Sequence, residues 1–331
     1  MAANRAVPYI IPLLGVLAIS MPLVISIPEY LLSFLFWFLV YASMATAWTI
    51  IGGFAGYVSF GHGAFLAIGA YVSGIAATHL QRIGDFSPTL TLALLMILGG
   101  LSASILAAVV GFPFLRLRGP YFTVASLLLV KVSYALVVNT PVLGGGGGLW
   151  LPVPRLEIST LRYLVYAGAI FMTALALFVA WKIQYSKFGL GLVAIRSDED
   201  VADGLGVNTF HLKLFALIIS AALTGAVGAL VAYERGNIYP DVIFDLNISV
   251  LTALSALIGG STHWAGPFIG AGFVRVFDEL VSTYIGREVA RILFGLMLAI
   301  TILIRPTGLL GAPKPARKDN REKSSKGNES G

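Results

Sequence analysis

The sequence predicts an all-α polytopic membrane protein of about ten transmembrane helices, within a range of about eight to ten, and three observations carry that prediction. Mostly apolar stretches of roughly 17 to 25 residues follow one another along the chain, each long enough to cross a hydrocarbon core as a helix. Hydrophobic residues make up 57% of the chain and charged residues only 11%, against about 25% charged in an ordinary soluble domain. The 37 glycines are the third sign, because small residues let membrane helices approach closely where lipid offers no hydrophobic drive. A spanning segment must also pair every backbone N–H and C=O within itself, which leaves the helix as the element.

The spans fall at about 9–27, 31–51, 60–79, 89–114, 121–139, 162–183, 210–233, 246–262, 266–285 and 289–305. The third and ninth are glycine-rich, and short or re-entrant forms are open for both. The first follows Arg5 and is followed by no small-residue cleavage site, so it is read as a retained helix rather than a secretory signal. Residues 1–311 then form one membrane domain. Residues 312–331, rich in Lys, Ser, Asn and Gly, cannot bury enough surface to fold and are expected to be a disordered basic tail with a weak preference for anionic lipid.

Basic residues set the expected orientation. With the N-terminus cytoplasmic, Arg5, Arg116, Arg118, Lys182, Lys187, Arg196, Lys213 and Arg305 fall on the inner side. Arg82, Arg155, Arg162, Arg235, Arg287 and Arg291 fall on the outer side. Lys314, Arg317, Lys318, Arg321, Lys323 and Lys326 of the tail widen the inner excess, so both termini are expected on the cytoplasmic side.

The longest charged break, 184–209, exceeds what a connector between helices needs. Phe188, Leu192 and Ile195 lie on one helical face. Ser197 then precedes Asp198, Glu199 and Asp200, an expected N-cap followed by acids that suit the positive end of a helix dipole. Ser197 and Asp200 also have capping-box spacing. Val201 and Leu205 make a short apolar face, and Gly206 supplies a C-terminal stop. The segment reads as two short amphipathic helices with a charged elbow on the cytoplasmic side. A docking surface for a soluble partner accounts for it, as does an interfacial helix pair lying on the bilayer.

Residues 186–215, SKFGLGLVAIRSDEDVADGLGVNTFHLKLF, resemble the cytoplasmic loop and following span of branched-chain amino acid ABC importer permeases, of the M-type subunit family. The matching elements are Phe188-Gly189, Ala194-Ile195-Arg196, Asp198-Glu199 and Leu205-Gly206, with Lys213 beyond. Three further blocks resemble the same family in the same order. They are GGFAGYVSFGHGAFLAIGAYVSG from Gly52, with its core at Ser59 to Phe65, RLRGPYFTVASL from Arg116, and LIGGSTHWAGPFIGA with the later IRPTGLLG. His263 stands where the family more often has a small or apolar residue, and the Gly144 to Gly148 run is an unusually pure glycine version of an external loop expected to be mobile.

The resemblance implies a permease domain over 1–311 that works by alternating access in a bacterial inner membrane. It implies partners: two ATP-binding subunits, a homologous second permease and a solute-binding protein that delivers branched-chain amino acids. Related permeases serve urea, short-chain amides or aromatic acids. It also implies that 184–209 couples the chain to the ATPase, through Phe188, Arg196, Asp198, Glu199, Asp200 and Asp203.

Among the ionisable side chains within predicted spans, His62, Lys131, Arg275 and Asp278 stand out. Such groups usually face a bundle interior or a water-filled path. Arg275 and Asp278 are three apart and form a candidate intramembrane ion pair. Gly61, His62, Gly63 and Phe65 are a candidate translocation path, because glycines flanking a histidine let a backbone or substrate approach closely; a hydrogen-bonded packing histidine is the other reading. Lys131 receives no role.

Other chemistry is set aside. The chain has no cysteine, which excludes disulfides and thiolate catalysis. His62, His79, His211 and His263 lack metal-ligand spacing, so no metal and no cofactor is expected. No phosphate-binding loop motif occurs, no soluble segment could house a nucleotide-binding domain, and no nucleic-acid partner is expected. The rival reading is an ion-coupled secondary transporter, for which Asp278 is the carboxylate to test.

Overall fold

The computed structural model describes residues 28–84, 86–152, 158–304 and 308–310. Local chemistry sets most helix ends. α1 (Glu29–Trp48) starts directly after Pro28 and runs on into a π-helical turn, Thr49–Phe54. After α2 (His62–Ile83), α3 (Pro88–Phe114) opens on Ser87, whose Oγ accepts from the Leu90 N–H. Pro88 stands in its first turn, where a missing N–H leaves nothing unpaired. α4 (Pro120–Val138) begins the same way behind Gly119. α5 (Ile158–Gln184), α6 (Lys187–Ser197) and α7 (Glu199–Gly204) lead to α8 (Thr209–Arg235), which stops at Gly236 in the left-handed conformation, φ 68°. A short α9 (Pro240–Ile243), α10 (Leu246–Gly259), α11 (Gly266–Tyr284) and α12 (Arg287–Ile304) complete the described chain.

Every expected span from 31–51 onward has its helix. Seven are long and apolar enough to cross a membrane, taking α1 with its π turn and α9 with α10 as single units. α11 and α12 carry too many charges to count among those seven. The third span is not short, since α2 has 22 residues. The interrupted span is the eighth, where Phe244 and Asp245 separate α9 from the 14-residue α10. The expected first span and the basic tail lie outside the described residues.

α8 is the central post, packed most extensively on α3 and α2 and also against α1 and α5. Glycine permits the crossing: a Cβ on Gly225 would lie 2.4 Å from the Gly99 carbonyl oxygen, and one on Gly69 2.2 Å from that of Gly225. Away from this crossing α3 exposes Ile97, Leu101, Ile105 and Val109, an apolar exterior of the kind a lipid-facing helix presents.

The bundle has two unlike ends. Near Lys213, α6 and α7 lie against the ends of α1, α3, α5 and α8. The 27 residues of α8 place the other end about 40 Å away. There β1 (Leu149–Trp150) pairs antiparallel with β2 (Asn237–Ile238). The glycine run is built into that end: Gly145–Gly147 form a 3-10 turn, and Gly148, at φ 75°, lies so close to Ile238 that a Cβ would meet its carbonyl oxygen at 2.4 Å. The glycine run expected to be a mobile external loop thus forms a turn at this end, directly before the strand pairing.

Candidate functional site

The site is the α6–α7 element and the ring of residues beneath it. Ser186 starts α6, its Oγ accepting from the Gly189 N–H. Leu192 and Ile195 are buried, Phe188 is half-buried against them, and Gly189 sits where a Cβ would meet the Ile183 carbonyl. Arg196 also turns inward. Its Nη1 donates to the Gly53 carbonyl at 2.8 Å, and its stem lies under Gly56, which adopts φ 78°. Burial lowers the pKa of this guanidinium below its ordinary value.

The cap between the two helices differs from expectation. α6 runs through Ser197, whose Oγ donates back to the Val193 carbonyl. Asp198 takes the N-cap position of α7, its carboxylate accepting from the N–H groups of Asp200 and Val201. Asp competes well with Ser for this role, and Ser197, still helical, is not free to serve.

Glu199 is the hinge of the site. Its Oε1 lies 2.6 Å from Lys213 Nζ, and its Oε2 accepts from the Tyr57 hydroxyl. Lys213 is 2% exposed, yet all three of its donors are met, by Glu199, by Tyr57 Oη at 2.9 Å and by the Leu115 carbonyl at 3.3 Å. The ammonium also lies 4.6 Å from the Tyr57 ring centroid. Burial, then the hydrogen bond to Glu199, raises the Tyr57 pKa well above its usual range. Arg118 closes the outer edge, with Nη1 2.6 Å from Asp200 and Nε 3.9 Å from Glu199. The latch thus joins α7 to α8, to the α3–α4 turn and to the segment before α2.

What remains outward is an apolar and acidic ridge. Leu190, Val193, Val201 and Leu205 are exposed, Leu205 at 80%, beside the exposed Asp200 and Asp203. Of the six residues expected to meet a partner, Asp200 and Asp203 lie on this ridge and Asp198 caps α7 beside it. Phe188, Arg196 and Glu199 face the bundle. Tyr57, Arg118 and Lys213 all stood in quoted motifs without a stated contact.

The other candidates lie elsewhere. Gly61, His62, Gly63 and Phe65 are buried in helix contacts. His62 Nε2 lies 2.7 Å from Ser220 Oγ, which itself donates to the Ala47 carbonyl, so Nε2 carries the proton and Nδ1 is left without a partner among the described residues. The Gly63 N–H donates to Ser249 Oγ. His263 accepts from the Ala265 N–H in the turn between α10 and α11. Lys131 is exposed on α4. Arg275 Nη1 is 2.9 Å from Asp278, and its Nη2 is 2.7 Å from Glu279.

These features define a multi-pass α-helical membrane protein with an amphipathic helix pair built onto one face. The chain belongs to the family described as branched-chain amino acid transport system / permease component, whose model matches residues 30–302. It is 28% identical over 307 residues to the high-affinity branched-chain amino acid transport system permease protein LivM of Escherichia coli K12, covering 85% of this chain and 70% of that one. It is 28% identical over 292 residues to LivH of Salmonella typhimurium, covering 83% and 92%. BraD of Pseudomonas aeruginosa is 26% identical over 298 residues, again covering 83% and 92%. No solved structure matches. The protein is a permease subunit of the ABC importer type.

Proposed function

We propose that this chain, paired with a homologous permease, two ATP-binding subunits and a solute-binding protein, imports branched-chain amino acids across a bacterial inner membrane. The α6–α7 face is cytoplasmic in this reading, and both termini lie on that side. The observation that carries it is the two-sided α6–α7 element. Its inner side is locked to the bundle through Glu199 and Lys213, while its outer side presents Val201, Leu205, Asp200 and Asp203 to a partner. A push on the ridge is then delivered to α1, α3 and α8, and ATP-dependent differences in affinity for the two conformations drive alternating access.

The ion-coupled alternative is disfavoured by Asp278, because the carboxylate it needs is paired with Arg275. The test is ATP-dependent uptake of labelled leucine by vesicles holding the whole transporter. Asp203→Lys with Leu205→Glu should abolish uptake while the permease pair still assembles. Uptake driven by an ion gradient with this chain alone would overturn the reading. Uptake of urea or an amide in place of leucine would correct the substrate.

A further inference from the structure

α11 and α12 are inverted relative to soluble amphipathic helices. Their apolar stripes face outward, Phe273, Val276 and Leu280 on one and Ile292, Leu296 and Leu303 on the other, all exposed. Arg275, Asp278 and Glu279 of α11 turn inward and, with the half-exposed Arg291 of α12, α1 and α10, surround a cavity of about 480 Å³. The volume is within the roughly 300–1,000 Å³ of small-molecule sites. Charged groups on membrane helices turn to water-filled paths or to each other, and here both occur. The cavity belongs to the end away from α6–α7, since Tyr30, in the first turn of α1, donates to Glu279 at 2.6 Å.

Three carboxylates and two guanidiniums line it: Asp245, Asp278, Glu279, Arg275 and Arg291. They are not equally engaged. Asp278 and Glu279 are both held by Arg275, which also lies 5.1 Å over the Phe34 ring. The Nε–H of Arg275 is buried and has no acceptor among the described residues. Arg291 is half-exposed; its Nη1 donates to the exposed Glu288 at 3.1 Å, while its Nη2 stands 3.8 Å from Asp245, too long for a hydrogen bond. One Asp245 oxygen caps α10 through the Asn247 N–H, which leaves the other facing Arg291 across that gap. Phe34, Trp37, Leu251 and Phe294 supply an apolar wall.

We propose that this cavity is the outer subsite for the zwitterionic head of the transported amino acid. Arg291 takes the α-carboxylate, Asp245 takes the ammonium, and the wall takes the aliphatic side chain. The proposal rests on the amino-acid reading above. It adds a chemical reason for it: a cavity bordered by charges of both signs and an apolar wall favours a solute bearing both charges, whereas urea or an amide carries neither.

The test uses the transporter complex in lipid nanodiscs without the solute-binding protein, with uptake by the complete system run in parallel. Labelled L-leucine should bind the complex. Leucine methyl ester, which lacks the anion, and 4-methylpentanoate, which lacks the cation, should each compete at least tenfold less well than leucine. Arg291→Gln and Asp245→Asn should each weaken leucine binding at least tenfold, and Asn preserves the helix cap. Wild-type affinity in both variants overturns the subsite. So does competition by the ester and the acid as strong as leucine's own, or absence of leucine binding to a complex that imports leucine. A wild-type system that imports a neutral solute and no amino acid removes the underlying reading as well, a failure visible in the uptake arm alone.

Discussion

The two ionic clusters of this permease use the same chemistry in opposite ways. At the α6–α7 end, Lys213, Glu199 and Tyr57 are closed on one another, and every donor of the buried ammonium is met. At the far end, Arg291 and Asp245 stand 3.8 Å apart in an open cavity, and a buried Arg275 N–H lacks an acceptor. A satisfied buried cluster holds helices in register; an unsatisfied one bordering a cavity offers its groups to a solute.

The largest expected effect comes from opening the closed cluster. Lys213→Met leaves the Glu199 carboxylate without its cation and should cost about 3–5 kcal/mol, as removal of one partner from a buried pair does. Thermal unfolding of the complex and ATP-driven uptake should both fall. The double variant Lys213→Met with Glu199→Gln should recover most of the thermal loss, because no lone charge remains. Recovery of stability without recovery of uptake would separate the latch's mechanical role from its structural one.

Alkaline pH should loosen the same cluster more gently. Tyr57 has a folded pKa raised above the ordinary 10.0 by burial and by the neighbouring Glu199. Its contribution is therefore full below pH 10 and is lost as pH rises through the folded value. The difference in unfolding temperature between wild type and Tyr57→Phe should stay constant from pH 7 to 9 and narrow above pH 10; a constant gap at pH 11 would contradict the raised value.

The elbow gives a smaller effect. Asp198→Ala should cost about 1 kcal/mol as a lost N-cap, while Ser197→Ala should change stability by less than about 0.5 kcal/mol. The reverse ranking would restore Ser197 as the cap. Smallest of all, Arg291→Gln should leave unfolding within about 0.5 kcal/mol of wild type, since that guanidinium is half-exposed and its ion pair is with the exposed Glu288. A large loss of stability there would mean that the open cluster is a strut like the closed one.

Much of this was legible in the sequence. Apolar runs placed the helices, and the spacing of Phe188, Leu192 and Ile195 marked the buried face of α6. The glycine run shows the limit: its composition says nothing of the pairing of Leu149 with Ile238, remote in sequence, that the structure adds beside it. The cap also moved by one residue, since Ser197 and Asp198 are both suitable and only the helix's actual end chooses between them.

Hydropathy and helical period act over a few residues and need no partner, so the sequence by itself determined the class, the spans and the two-helix elbow. Whether an acid turns inward or outward depends on what stands opposite it. Glu199 and Asp200 are neighbours of the same charge, yet one closes on Lys213 and Tyr57 and the other lies on the surface with Arg118. Tyr57 reaches Glu199 across 142 positions. Only the tertiary structure could decide that, because ion-pair and hydrogen-bond energies fall away within a few ångströms and are blind to distance along the chain.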